Sequence, residues 1–238
     1  MKIKTVALSL VVCLGSLAQA QNNPWNISAS VTAVSKYVGG TGGALFSDKP
    51  CLQTNINFSH KSGYYLNFWR SVPLEQNQWH SFCNETDWQV GYNTNVCRGR
   101  VNLDVSAGVY DLVPTTDLYP VNLTLTATSG RIRPYAVFEH DFAQSDQLPA
   151  GDIYKVGCRG HNLIDWDVAA LGNVGSHPYG GRQDYLSGVK MQLSQGFLVR
   201  GGGTLIPAFT YYAPLGHANG LVHNQAVFSL CYVPKIRF

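Results

Sequence analysis

The sequence has no run of eighteen consecutive apolar residues, so it predicts no membrane-spanning helix. It also has little charge: without Lys2 and Lys4, fifteen basic residues stand against fourteen acidic ones. Such a balance gives no support for nucleic-acid binding. The cysteines match no zinc-binding spacing, and no G-x-S-x-G or comparable nucleophile motif is present. We therefore expect no metal, no cofactor and no enzymatic activity.

The first twenty residues differ from the rest of the chain. Lys2 and Lys4 form a basic start, residues 7–17 are an apolar run, and Ala18-Gln19-Ala20 is a small-x-small cleavage site. This pattern is typical of a cleaved signal peptide. It predicts a signal peptide over residues 1–20, export from the cytoplasm, and one domain over residues 21–238.

The remaining chain alternates apolar and polar residues with a period of two, which is the period of β-strands. About twelve such segments can be recognised, at residues 26–38, 52–58, 64–69, 88–92, 101–109, 121–127, 132–141, 152–159, 163–172, 184–193, 203–213 and 224–233. Most have lengths that suit tilted membrane strands, and an even number of strands brings both termini to the same side.

Connections between these segments alternate in length. Short links with Gly, Asn or Ser turn chemistry lie at residues 60–63, 95–99, 129–131, 160–162 and 194–196, and longer links at 39–50, 73–85, 111–118, 142–151, 173–183 and 214–223. The glycines at 201–203 indicate a bend or bulge in the eleventh strand. Short periplasmic turns opposite longer extracellular loops are typical of bacterial barrels.

We therefore predict an all-β fold: a closed antiparallel transmembrane β-barrel of about twelve strands in the bacterial outer membrane. Outer-membrane lipid and lipopolysaccharide would surround it. The turns that carry Lys61, Arg98, Arg100, Arg131 and Arg159 would face the periplasm. A soluble periplasmic β-sandwich is the alternative fold.

Aromatic residues tend to lie near the ends of the predicted strands. Tyr37 and Tyr110 lie toward the long loops, and Tyr64, Tyr92 and Phe197 toward the short turns. This placement suits two interfacial girdles, although aromatic residues also favour strands in general. Near the C-terminus, Tyr232, Ile236 and Phe238 belong to an alternating segment that ends in phenylalanine. It resembles the signal by which the barrel-assembly machinery recognises its substrates.

The opening of the exported chain carries a family resemblance. Residues 31–38, VTAVSKYV, and residues 53–69, QTNINFSHKSGYYLNFW, resemble the first hairpins of the TorF family of porins. This resemblance implies an outer-membrane location and a channel role, and it supplies no catalytic residues.

In such a barrel the polar faces of the strands point into the lumen. The candidate lining residues are Lys36, Asn55, Asn67, Asp87, Asp104, Glu139, Asp141, Lys155, Asp165, Asp167 and Lys190. Acidic groups are prominent among them, so a narrow pore for small polar solutes would mildly prefer cations. A lumen closed by salt bridges and packed side chains is an equal alternative, because twelve strands are intermediate between filled and water-filled barrels.

Two other functions remain open. A barrel enzyme that hydrolyses lipid or peptide would use His140 with Asp141, or a loop histidine such as His177, His217 or His223. A non-conducting structural or adhesive barrel would need neither an open lumen nor a catalytic group. Cys51 and Cys83 each precede a strand that follows a long loop, so a disulfide between them could tie the first two external loops. Cys97, Cys158 and Cys231 are expected to be unpaired.

Overall fold

The computed structural model describes residues 23–39, 43–75, 83–113, 117–142, 150–175, 184–200, 202–215 and 224–236. Within these ranges the regular structure consists of fifteen β-strands. They are β1 (Trp25–Val34), β2 (Tyr37–Val38), β3 (Leu45–Ser47), β4 (Cys51–His60), β5 (Tyr64–Pro73), β6 (Glu85–Val96), β7 (Val101–Leu112), β8 (Tyr119–Ala127), β9 (Ile132–Phe142), β10 (Gly151–His161), β11 (Asp165–Gly175), β12 (Asp184–Ser194), β13 (Phe197–Leu198), β14 (Gly203–Pro214) and β15 (Gln225–Pro234).

Twelve long strands close into one antiparallel barrel in the part of the chain that the structure describes. From β4 to β12 each strand pairs with the next in sequence, and β12 then pairs with β14 and β14 with β15. The first strand closes the ring, because β1 pairs with β4 over its full length and with β15 on its other edge. The predicted closed barrel of twelve strands is confirmed.

The barrel is apolar outside and polar inside, which is the reverse of a soluble protein. On β8, Val121, Leu123 and Leu125 point outward and each is at least 38% exposed, whereas Asn122 and Thr124 line the lumen. Alternation along each strand produces this arrangement, because successive side chains lie on opposite faces of a sheet. No helix with the length and apolarity needed to cross a bilayer occurs among the described residues.

The two ends of the barrel differ as the connection lengths predicted. Residues 61–63, 97–100, 128–131 and 162–164 form tight turns at one end, which we call the short-turn end. The strand ends that the longer connections join, such as Val34 with Cys51 and Pro73 with Glu85, lie at the opposite end, which we call the long-loop end. Both β1 and β15 have their terminal ends at the short-turn end, since Trp25 pairs with His60 and Pro234 with Gly203.

The turn predicted at residues 194–196 is wrong. Past a short break at residues 195–196, β13 continues the pairing of β12 against β14 in the same register, with Ser194 opposite Ala208 and Phe197 opposite Leu205. The chain reverses further on, where Val199 and Gly203 are joined by a backbone hydrogen bond of 3.0 Å. Gly202 has a φ of 101° there, a conformation that glycine adopts without strain. Gly202 therefore lies in the turn and Gly203 begins β14, so neither forms a bulge inside the strand.

Arg159 was also expected in a short turn, and this expectation is wrong. β10 continues to His161, so Arg159 lies inside the strand.

Candidate functional site

A cavity of about 560 Å³ lies in the barrel lumen. Six of the predicted lumen residues line it: Lys36, Asn55, Asn67, Asp87, Asp104 and Glu139. They reach it from the inward faces of β4 to β9 and from the segment that follows β1. Between them stand further polar side chains, among them Gln53, Gln89 and Asn122. The cavity is thus a polar compartment enclosed by a closed sheet.

At the long-loop end, the first connection folds into the lumen as a small hairpin of β2 and β3. Pairing of β1 with β15 stops at Val34, after which Ser35 exchanges hydrogen bonds with Phe228 and the chain leaves the wall. Tyr37 then points inward and is only 7% exposed. Its hydroxyl donates to Glu85 Oε2 at 2.5 Å.

Aromatic packing holds this hairpin against the wall. The ring of Tyr37 lies 5.0 Å from that of Phe46 and 5.6 Å from that of Trp69, between centroids. Phe46 also packs against the buried pair Leu112 and Leu118. The hairpin therefore narrows the lumen at this end, since Tyr37, Phe46 and Trp69 all line the cavity.

The predicted aromatic girdle at the long-loop end is wrong for both residues named. Tyr37 lies inside the barrel because the strand ends before it, and Tyr110 lines the cavity, where its hydroxyl accepts a hydrogen bond from Gln89 Nε2 at 2.8 Å. At the short-turn end, Tyr64, Tyr92 and Phe197 are exposed on the outward face. The ring centroids of Tyr64 and Tyr92 lie 4.9 Å apart.

The cysteine pair lies beside the hairpin. The structure joins Cys51, at the start of β4, to Cys83, two residues before β6. Both side chains are fully buried. The bond ties the end of the first long connection to the end of the second. Cys97, Cys158 and Cys231 are unpaired.

Charge is distributed unevenly around the cavity. Glu85, Asp87, Asp104 and Glu139 line it, whereas Lys36 is the one basic residue among the lining residues that the structure describes. The Lys36 ammonium donates to Gln225 Oε1 at 2.9 Å. Asp141 lies two residues after Glu139, on the same face of β9, and is fully buried. Its two carboxylate oxygens have no hydrogen-bond partner among the described residues. Among the described residues the cavity is therefore lined by more carboxyl groups than basic groups.

Three of the other predicted lumen residues, Lys155, Asp167 and Lys190, belong to a separate cluster on β9 to β12. Asp167 accepts a hydrogen bond of 2.7 Å from the Tyr135 hydroxyl and pairs with the Lys190 ammonium at 3.7 Å. Lys155 lies near both Asp167 and Lys190, and Arg159 lies over the Tyr135 ring. These side chains contact one another instead of lining the cavity. Asp165 is exposed at the short-turn end, where it pairs with His161 at 2.8 Å.

A second cavity, of about 480 Å³, lies at the short-turn end between β4, β5 and β6. It contains Asn57, Ser59 and Asn93 and shares Tyr65 and Asp104 with the central cavity. Tyr65 was placed by the alternation on the polar face of its strand beside Asn67, but was not recognised as a lumen residue. Its large ring is the feature that could have drawn attention to it.

The histidines considered for catalysis do not form a site in the described structure. His140 points outward, with its ring against Phe142, and pairs with Asp152 at 2.7 Å, while Asp141 points inward. Its cross-strand neighbours are Val121 and Asp152, neither of which carries a hydroxyl or thiol group. His177, His217 and His223 lie outside the described residues. Within the described ranges, no three His, Cys, Asp or Glu side chains converge as a metal site.

Of the predicted assembly signal, Tyr232 lies on the outward face of β15 and donates to the Gly202 carbonyl at 3.1 Å. Ile236 follows the end of that strand. Phe238 and the predicted signal peptide lie outside the described residues.

The chain matches one family model and is similar to several solved structures. Residues 18–188 match the family described as "Bacterial protein of unknown function (Gcw_chp)". No curated protein matches the chain. Among solved structures, the NanC porin has a TM-score of 0.57 at 9% identity, with 87% of this chain and 100% of that chain covered. An outer-membrane channel from Pseudomonas putida F1 has a TM-score of 0.53 at 9% identity, with 91% and 97% covered. At this identity the likeness shows a shared barrel fold.

Proposed function

Because the chain belongs to the Gcw_chp family, whose function is unknown, we propose its function from its own lumen: it is a porin-like channel of the outer membrane for passive passage of small polar solutes. The observation that carries this proposal is the polar cavity of about 560 Å³ inside the closed barrel. A barrel that served only as an anchor could fill this space with packed side chains. Amide, hydroxyl and carboxylate groups facing open space can replace the hydration of a passing solute.

An outer-membrane location is supported by the apolar outward face and by the asymmetry of the connections. The fold shared with the NanC porin and with the Pseudomonas putida channel supports it further, as does the resemblance of the opening strands to TorF-family porins. In this proposal the signal peptide at residues 1–20 directs export, and the barrel-assembly machinery recognises the C-terminal segment with Tyr232, Ile236 and Phe238. The long-loop end then lies outside the cell, among lipopolysaccharide.

The charges of the cavity favour cations over anions. Four carboxylates line it against one ammonium, and Glu85 and Asp87 lie on the same strand next to the inward hairpin. The basic residues Lys155 and Lys190 belong to the neighbouring cluster, where Lys190 is paired with Asp167. A permeating cation would therefore meet more carboxyl groups than ammonium groups along the described cavity wall.

The test is conductance of the purified, refolded protein in planar bilayers. Stepwise currents are expected, with a reversal potential under a salt gradient that shows cation preference. Replacement of three lining acids, as Glu85→Gln, Asp87→Asn and Glu139→Gln, is expected to shift that potential toward zero. The matched control is Asp165→Asn, an exposed acid outside the cavity, which should leave it unchanged.

A folded protein without step currents would refute the channel and favour a structural or adhesive barrel. Hydrolysis of lipid or peptide that is lost in His140→Ala would instead favour an enzyme that uses the outward pair of His140 and Asp152.

A further inference from the structure

Tyr65 lies at the boundary between the two lumen cavities. Of the residues that line the central cavity and those that line the cavity at the short-turn end, Tyr65 and Asp104 are common to both. A solute that passes from one cavity to the other must therefore pass this pair. The residues lie on β5 and β7, so the pair spans the inward face of β6.

The Tyr65 side chain is fixed in this position at both ends. Its hydroxyl donates to Asp104 Oδ1 at 2.7 Å, and the other carboxylate oxygen accepts from Asn93 Nδ2 at 2.9 Å. Beneath the ring is Gly91, the cross-strand partner of Tyr65. A Cβ at Gly91 would lie 2.3 Å from the Tyr65 ring, so only glycine allows the ring to lie across the strand. The phenol is therefore held in one position at the boundary between the two cavities.

The same three-strand arrangement occurs a second time in the barrel. Tyr135 on β9 crosses its cross-strand partner Gly157 on β10 and donates to Asp167 on β11 at 2.7 Å. A Cβ at Gly157 would lie 2.9 Å from the Tyr135 ring.

The surroundings of the two tyrosines differ. Arg159 lies over the Tyr135 ring at 5.3 Å, and Asp167 also holds Lys190, so this tyrosine is packed into the charged cluster. Tyr135 lines neither lumen cavity, whereas Tyr65 lines both. Both tyrosines link three neighbouring strands of the sheet. Of the two, only Tyr65 lies between the central cavity and the cavity at the short-turn end.

We propose that Tyr65, held by Asp104 and seated on Gly91, is the residue that sets the size limit for solutes passing between the central cavity and the short-turn end. The proposal rests on the channel function and adds the position of its narrowest passage. Its experimental advantage is that Tyr135 provides an internal control with the same local construction.

The experiment compares Tyr65→Ala with Tyr135→Ala in planar bilayers, with polyethylene glycols of graded size as blockers added from the short-turn side. Tyr65→Ala is expected to raise single-channel conductance about twofold and to admit larger polymers, since pore width controls passage. Tyr135→Ala is expected to leave both unchanged. Equal effects of the two variants, or an unchanged exclusion size in Tyr65→Ala, would overturn the proposal.

Folding and the role of Asp104 are tested separately. Heat-modifiable migration on gels reports whether each variant forms a barrel. Tyr65→Phe keeps the ring and loses only the hydrogen bond, so it serves if Tyr65→Ala does not fold. It is expected to show conductance above the wild type, because the freed ring no longer stays across the passage. Identical conductance would contradict the holding role of Asp104. Absence of current in the wild type would refute the channel itself, whereas a current that ignores Tyr65 refutes only this inference.

Discussion

Loss of the disulfide between Cys51 and Cys83 should destabilise the barrel by an amount that can be worked out from its position. The bond joins residues separated by 32 positions, and both sulfurs are fully buried. The chain that it encloses contains β4, β5 and the connection to β6. Cys51→Ala/Cys83→Ala removes the bond without leaving a free thiol.

The chain-entropy relation for a loop of this length predicts a loss of about 3.7 kcal/mol in the free energy of unfolding. Replacing Cys51 and Cys83 by the smaller alanine also leaves space in a packed site, which lowers the free energy of unfolding further. The twelve-strand sheet itself is unchanged, so conductance should persist. We therefore expect the double variant to be less stable than the wild type and still to conduct.

The assay is urea unfolding in detergent micelles, followed by tryptophan fluorescence, with Cys97→Ala as control. Cys97 is exposed and unpaired, so its variant should unfold like the wild type. Reduction of the wild-type protein should reproduce the double variant. An unfolding midpoint that does not move on either treatment would refute the argument, because the bond would then constrain nothing that unfolds.

Further predictions concern the turn at Cys97 and the buried Asp141. An impermeant maleimide should label Cys97 only after the outer membrane is permeabilised; labelling of intact cells would invert the proposed orientation. Cys97 has a φ of 51°, a backbone conformation that Asn adopts more readily than Cys does. Cys97→Asn should therefore raise the free energy of unfolding by up to about 1 kcal/mol. A clear decrease in that free energy would contradict the prediction. Asp141→Leu should stabilise the barrel by about 1–3 kcal/mol, because the carboxylate is buried without a hydrogen-bond partner among the described residues. Destabilisation in the same urea assay would contradict this prediction.

The strands and the closed barrel could be predicted because their signals are local. Alternation along Val121, Asn122, Leu123 and Thr124 assigns each side chain to a face without any knowledge of its neighbours. Connection lengths then indicate which ends of the strands share a side. The turn after β12 was misplaced because Gln195-Gly196 and the glycines at 201–203 offer similar turn chemistry, and only the pairing with β14 decides between them.

The inward hairpin could not be predicted, because it depends on contacts between residues far apart in the chain. Tyr37 bonds to Glu85, 48 positions away, and rests on Trp69 and Phe46. Before these partners are placed, Tyr37 continues the alternation of the first strand and is assigned to the outward face. The break at Ser35 leaves too weak a pattern to reveal the change.

The polarity of the inward face did not predict which part of the lumen is open. The lengths of the inward side chains account for this difference. The cavity wall contains short polar groups such as Asn55, Asn67 and Ser106, which leave space at the centre. On β10 to β12 the inward residues include Lys155, Arg159 and Lys190, whose long chains reach Asp167 and Tyr135 and pack there. Both expectations for the lumen therefore describe part of it: a charged cluster occupies one side, and a polar cavity remains on the other. The length of the inward polar side chains on each strand therefore distinguishes the open side of the lumen from the filled side, and their charge alone does not.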